Sequence, residues 1–182
     1  EKSFSNKNLH TILADVTDYQ ALEKSLKSLT VDILVNNAGI WLEGGLETQT
    51  DKQIADTIDV NFKGTIYATR VVLPQMKKRN SGFILNVSST SGLKGRENQV
   101  VYAATKWGVR GFTVSLEEEL IKTGIKVAGF YPGGMNTEIF AKAGNTSDHS
   151  TWMDTDKVAE IIVFMLEHSD NMRINSLQVN RK

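Results

Sequence analysis

Apolar and polar positions alternate between two rhythms along this chain. Short continuous apolar runs predict strands, and longer stretches with apolar residues three or four apart predict amphipathic helices. Leu9 to Ala14 reads as a strand ending at Asp15. Thr17 or Asp18 can then cap a helix to about Ser28, with Leu22, Leu26 and Leu29 along one face. Asp32 to Asn36 is a second strand, too continuously apolar to leave one face in water, which predicts a buried parallel strand. A long helix is expected from about Thr50 to Lys78, bent or ended early by Gly64 or Pro74. Phe83 to Val87 is the third strand. Gln99 to Lys122 is another long helix, with Gly124 placed as a left-handed cap. Ile125 to Tyr131 forms a fourth strand, ended by Pro132-Gly133-Gly134. An irregular polar segment to about Met153, a helix from Thr155 to Glu167 and a strand from Ile174 to Val179 complete the pattern.

Strands and helices in this alternation imply right-handed crossovers and a parallel sheet covered on both faces, a three-layer α/β fold in one domain. Ligands of such sheets bind beyond the carboxyl ends of the strands. That rule points to Asp15, Asn36–Gly39, Val87–Ser89 and Tyr131–Gly134.

Composition narrows the classes. The 182 residues are 40 % hydrophobic and 23 % charged, as expected of one globular domain, 1–182. Lys+Arg and Asp+Glu both number 21, so there is no basic excess to suggest nucleic acid. Lys77-Lys78-Arg79 suits the last turn of a helix, where cations meet the negative end of the dipole. Cysteine is absent, which rules out disulfides, thiolate zinc sites and cysteine nucleophiles, and suits a cytoplasmic location; no metal is expected. No apolar run approaches the roughly 18–20 residues of a membrane span. Glu1 to Asn8 is polar and unlike a signal peptide.

The unusual residues cluster at the strand ends. Tyr102 and Lys106 are four apart on one helix and share a face. A tyrosine titrates near 10, and an ammonium beside it in a desolvated cleft favours the phenolate and draws it toward working range. Such a pair alone is unspecific; an exposed tyrosine over a lysine stem is the bland alternative. Ser89, at a strand end 13 residues earlier, can meet Tyr102 at one substrate oxygen, while Ser88 reads as a loop cap. In Asn36-Asn37-Ala38-Gly39, Asn36 reads as structural, and Gly39 permits close approach of a ligand. Asn61 falls in mid-helix, where asparagine is mildly unfavourable, and can face the cleft and hold a water beside Lys106.

The set Asn36-Asn37-Ala38-Gly39, Asn61, Ser89, Tyr102-x-x-x-Lys106 and Pro132-Gly133-x-Met135-x-Thr137 closely resembles the short-chain dehydrogenases/reductases, in order and spacing, from Asp15 to the last strand. The resemblance implies a Rossmann-like doubly wound sheet. It also implies hydride transfer between NAD or NADP and a carbonyl or secondary alcohol, a small-molecule substrate. Tyr102 would be general acid or base, Lys106 would lower its pKa and bond the nicotinamide ribose, Ser89 would polarise the substrate oxygen, and Asn61 would hold a relay water. Asp15 and Val16 would contact the adenine, Asn37, Ala38 and Gly39 the adenosine side, and Pro132, Gly133 and Thr137 the nicotinamide, with Tyr102 and Lys106 also touching the cofactor. Trp41, Ser89, Leu93, Gln99, Met135 and Phe140 would wall the substrate pocket, with Ile40 and Ile139 nearby, suggesting a partly apolar compound. Residues 138–153 look like the family's substrate lid, hinged near Gly144-Asn145. Helices containing Phe62 and Trp107 resemble those through which the family forms dimers or tetramers.

The family's first strand and its T-G-x-x-x-G-x-G turn, a phosphate cradle at a helix N-terminus, have no counterpart here. Together with the non-Met start, this leads us to expect an N-terminally truncated fragment, with Glu1 to Ser5 as the tail of a helix. The alternative function is a non-catalytic binding or scaffold protein that keeps the fold without the cofactor. A serine hydrolase is excluded: no G-x-S-x-G surrounds Ser89, and His149 and His168 read as surface residues.

Overall fold

The computed structural model describes residues 9–168 and 172–182; Glu1 to Ser5, expected as a helix tail, lie outside them. Four parallel strands pair in the order β1 (Ile33–Asn36), β2 (Gly82–Val87), β3 (Ile125–Pro132) and β4 (Ser176–Val179). Helices lie between them: α1 (Tyr19–Leu26), α2 (Asp51–Ile58), α3 (Gly64–Arg79), α4 (Val100–Leu120), the short α5 (Ile139–Lys142) and α6 (Thr155–Glu167).

Helix starts follow their capping chemistry. The Asp18 carboxylate accepts from the amides of Gln20 and Ala21, Thr50 and Gln53 cap each other reciprocally, and Asp154 accepts from Asp156 and Lys157. Lys77, Lys78 and Arg79 form the last turn of α3.

Strand alternation separates two cores. Ile84, Ile125 and Val127 pack against Val72 and Met76 of α3 and Leu116 and Leu120 of α4. The opposite faces of the same strands send Phe83, Leu85, Val87, Ala128 and Phe130 against Val158 and Met165 of α6. Each fully buried aliphatic such as Ile84 or Leu85 contributes roughly 1.5–3 kcal/mol.

Several expectations need correction. Leu9 to Ala14 forms no strand; Leu9 and Ile12 are half exposed and Leu13 fully so, because no described strand offers this segment a ladder. β1 is parallel, but it is an edge with one open face: Ile33 and Val35 are 48 % and 38 % exposed, on the side away from α3. Pro74 neither ends nor interrupts α3, which continues to Arg79 with Val72 and Met76 fully buried on either side. The irregularity comes earlier, where Asp59–Lys63 winds as a π-helix joining α2 to α3. Gly64 has another purpose, since an added Cβ would lie 2.8 Å from a Val16 methyl. Gly124 is likewise not a left-handed cap. Its amide donates to Asn80 Oδ1 at 2.9 Å, and a side chain there would overlap the Asn80 carbonyl; Asn80 itself takes the left-handed conformation that closes α3.

Candidate active site

The carboxyl ends of β1, β2 and β3 meet the start of α4, and buried amides fix their relative heights. Asn36 Nδ2 donates to Asn86 Oδ1 at 2.8 Å and to Thr69 Oγ1 at 3.0 Å, and Asn86 Nδ2 donates to Thr113 Oγ1 at 2.9 Å. Asn36 is thus structural, tying β1 to β2 and α3. Ser88 is structural too: its hydroxyl donates to the Lys106 carbonyl at 2.9 Å, under Gly92, where a Cβ would have no room.

One residue on, the Ser89 hydroxyl accepts from the Ser91 amide at 3.1 Å and acts on Tyr102 to favour its phenolate, but the cleft over Tyr102 is lined by Ser88 and not by Ser89. Tyr102 and Lys106 share a face of α4, with the Lys106 Nζ 5.7 Å from the tyrosine ring centroid and donating to the Val87 carbonyl at 3.2 Å. Both side chains are buried, and burial decides their protonation. It pushes the Tyr102 phenol up to about 12, against which the Ser89 hydrogen bond acts, and the Lys106 ammonium down to about 8. The direction for Tyr102 is opposite to the sequence-based expectation: desolvation outweighs the opposing effect of Ser89, and the Lys106 ammonium is itself driven toward neutrality.

Asn61 lies in the π-helical segment and is 1 % exposed, so it is not a solvated asparagine. Its Oδ1 accepts from the Ile40 amide at 2.7 Å, while Nδ2 donates to the Ile40 carbonyl at 2.9 Å and to Thr105 Oγ1 at 3.3 Å. Both ends of its amide are engaged by protein. It acts as a clamp that holds the turn after β1 against α4, and Gly39 sits where a Cβ would be 3.3 Å from Asn61 Oδ1 and 3.6 Å from Lys106 Nζ.

A cleft of about 430 Å³ opens over these groups, lined by Tyr102 and Lys106 with Asn37, Gly39, Trp41, Pro132, Gly133, Met135, Thr137 and Phe140. Thr137 Oγ1 is buried and meets no hydrogen-bond partner among the described residues. Asp15 and Val16 do not join the cleft: the Asp15 carboxylate accepts from the Thr17 amide and hydroxyl, which hold it below its ordinary pKa, and Val16 packs on Gly64. Ala38 is exposed and also stays outside. A second chamber of about 550 Å³ adjoins the first and shares Trp41, Phe140 and Gly133 with it. The Trp41 ring lies 4.4 Å from Tyr102 and 5.0 Å from Phe140, forming the wall between them.

Gln99 lines the second chamber and accepts from the Ser91 hydroxyl at 2.9 Å; Leu93, expected in the pocket wall, lines neither chamber. The second chamber is more polar than the sequence suggested, bringing in Glu43, Arg96, His149 and Arg181. His149 is no free surface residue: it stacks on Phe140 at 4.5 Å and meets Trp152 edge-on at 4.2 Å, pinning residues 138–153 down. Of these, only Arg181 carried a sequence signal, its place just beyond a strand's carboxyl end. Among the described residues, no cluster of acidic and histidine side chains could hold a metal, and no helix is long and apolar enough to cross a membrane.

A buried tyrosine with a buried lysine one turn away, beside a strand-end serine at the carboxyl ends of a parallel sheet, resembles an α/β oxidoreductase site. The family profile described as short chain dehydrogenase matches residues 2–148. An uncharacterized oxidoreductase of Staphylococcus aureus (strain MW2) is 33 % identical over 183 aligned positions, covering 96 % of this chain and 77 % of that protein. Among solved structures, serine dehydrogenase from Escherichia coli superposes with a TM-score of 0.84 at 32 % identity, over 95 % of this chain and 76 % of that one. The closed form of serine dehydrogenase complexed with NADP+ gives 0.84 at 33 %, over 91 % and 73 %. The chain belongs to the short-chain dehydrogenase family, and its sheet is the Rossmann-like α/β fold of those structures.

Proposed function

We propose that this chain carries the proton-transfer centre of an NAD(P)-dependent oxidoreductase that interconverts a carbonyl compound and its alcohol. The observation that carries the reading is the buried pair Tyr102 and Lys106 on one face of α4, both opening on the cleft, with Ser89 acting on the phenol. Tyr102, a neutral phenol held by burial, donates a proton to the carbonyl oxygen in reduction and takes it back in oxidation. Ser89 donates to the same oxygen, and Lys106 favours the phenolate left behind. Asn61 positions the turn that carries Gly39 and Trp41.

The cleft also suits a nicotinamide dinucleotide. Asn37, Gly39, Pro132, Gly133 and Thr137 would hold it, and the unpartnered Thr137 hydroxyl is a ready hydrogen-bonding group for a carboxamide. The dinucleotide, when bound, supplies the hydride. The similarity to serine dehydrogenase complexed with NADP+ supports the assignment.

The test is Tyr102→Phe. Turnover of a carbonyl substrate is expected to fall by about 100-fold or more, while dinucleotide affinity, followed by fluorescence titration, stays within about threefold. Undiminished turnover overturns the role of Tyr102. Wild-type chain that binds the dinucleotide yet turns over no carbonyl returns the reading to a binding protein. Ile58, Val100, Trp107 and Val114 leave an exposed apolar stripe along α2 and α4, which supports homodimer or homotetramer formation through these helices; sedimentation as a monomer at micromolar concentration would contradict it.

A further inference from the structure

The chamber behind Trp41 and Phe140 carries charge that the protein's own contacts do not use. Arg96, in the loop between β2 and α4, and Arg181, just past β4, both line it, and neither forms an ion pair with a described residue. The Arg181 guanidinium lies 4.8 Å over the Trp152 ring, which holds it in place without neutralising it. Trp152 is in turn packed against Phe140 and His149. The two carboxylates in the same wall are committed to uncharged donors. Glu43 Oε2 accepts from Trp41 Nε1 at 3.3 Å and Asn145 Nδ2 at 3.0 Å, and Asp148 accepts from the Ser150 amide at 2.8 Å. Two planar cationic forks facing one aromatic-walled chamber match a carboxylate in shape and charge.

We infer that the substrate carries a carboxylate, seated against Arg96 and Arg181, with its carbonyl or hydroxyl carbon reaching past Trp41 to Tyr102. The redox part of this rests on the oxidoreductase reading above; the anion site does not. A hydroxy acid would lose its carbinol hydrogen as hydride to NAD(P)+ and its hydroxyl proton to the Tyr102 phenolate, becoming the oxo acid with its carboxylate unchanged. Ser91 and Gln99, already bonded to each other on the chamber wall, supply neutral polar contacts beside the arginines.

Two measurements separate the anion site from the reaction. In the first, malonate and uncharged malonamide are titrated into the chain without cofactor, read by the fluorescence of Trp41 and Trp152. Malonate is expected to bind saturably and at least about tenfold tighter than malonamide. Arg96→Gln and Arg181→Gln are each expected to weaken it about tenfold. In the second, kcat/KM is compared for acetoacetate and its methyl ester, which keeps the ketone and removes the charge. The acid should be favoured at least about tenfold, and the acid-to-ester ratio should drop in both variants. Malonate binding no tighter than malonamide, or untouched by either substitution, overturns the inference, as does equal kcat/KM for acid and ester. Arginine-dependent malonate binding without turnover of either ketone leaves the anion site standing and overturns the oxidoreductase reading instead.

Discussion

Replacing Lys106 by methionine should make this protein more stable while disabling its proposed chemistry. The lysine is 5 % exposed, and among the described residues no carboxylate pairs with it; its ammonium donates to the Val87 carbonyl. Burial lowers its pKa from 10.5 to about 8. At about 1.36 kcal/mol per decade, that drop corresponds to about 3 kcal/mol of cost for keeping the ammonium inside at neutral pH. The sign follows from proton counts. Below about pH 8 both folded and unfolded chains hold the proton and the full cost is felt. Between about 8 and 10.5 the unfolded chain binds more protons than the folded one, so wild-type stability rises with pH. Methionine removes the cost but strands the Val87 carbonyl, a loss of about 1–3 kcal/mol that does not depend on pH. The clean quantity is therefore the difference between Lys106→Met and wild type, measured by urea unfolding from pH 7 to 10.5. Other titrating groups cancel in that difference. The variant's relative advantage should shrink by about 3 kcal/mol across this window. A difference that is flat with pH would refute the claim that Lys106 is held in a desolvated, strained charge state.

The same titration should appear in catalysis: carbonyl reduction is expected to fall as pH rises through about 8, as the ammonium that stabilises the Tyr102 phenolate is lost, and a profile level from pH 7 to 9.5 would contradict this. Asn61→Ala leaves both part-buried backbone groups of Ile40 without their partner, and a loss of about 1–3 kcal/mol is expected in denaturant melts. Gly124→Ala must push against the Asn80 carbonyl and should cost about 2 kcal/mol or more, whereas Gly111→Ala, in mid-helix with open space around it, should gain about 0.5–1 kcal/mol. Thermal melts of the two glycine variants moving in the same direction would show that the close contact at Gly124 is misassigned.

The candidate residues at the strand ends were legible in the sequence because position and type coincide there. Ser89 closes an apolar run, and Tyr102 and Lys106 stand four apart at the start of a long helix, so the fold rule and the chemical rule selected the same residues. Periodicity gave α6 and three of the four strands nearly residue by residue. What it cannot give is the neighbour. Leu9 to Ala14 has a strand's composition but no ladder to join, and Ile33 and Val35 have a core's composition but no described cover. Gly124 was singled out for the wrong reason: a glycine signals either freedom of φ or shortage of space, and its one-letter code is the same for both. Arg96 was invisible because rim arginines follow no period, and their use depends on which carboxylates are already engaged elsewhere. The tyrosine pKa moved against expectation because spacing reveals a nearby charge but not the depth of burial around it.

The π-helical turn at Asp59–Lys63 has a consequence for how this chain tolerates insertions and deletions. A π-turn holds one residue more than an α-turn in the same length of helix, so residues on its two sides are phased independently. Upstream, Thr57 is buried; within it, Asn61 reaches the turn after β1; downstream, Val72 and Met76 face the sheet. Losing a single residue from this segment would let the helix run as unbroken α. Because the π-turn takes up its extra residue within the same length of helix, everything beyond would keep nearly its phase relative to Thr57, so the seal on the core would survive while the bulge that carries Asn61 to Ile40 would be lost. A one-residue gap at Asp59–Lys63 should therefore spare the core and remove the clamp, whereas a one-residue gap elsewhere between Thr50 and Asn80 should turn the buried face by about 100°.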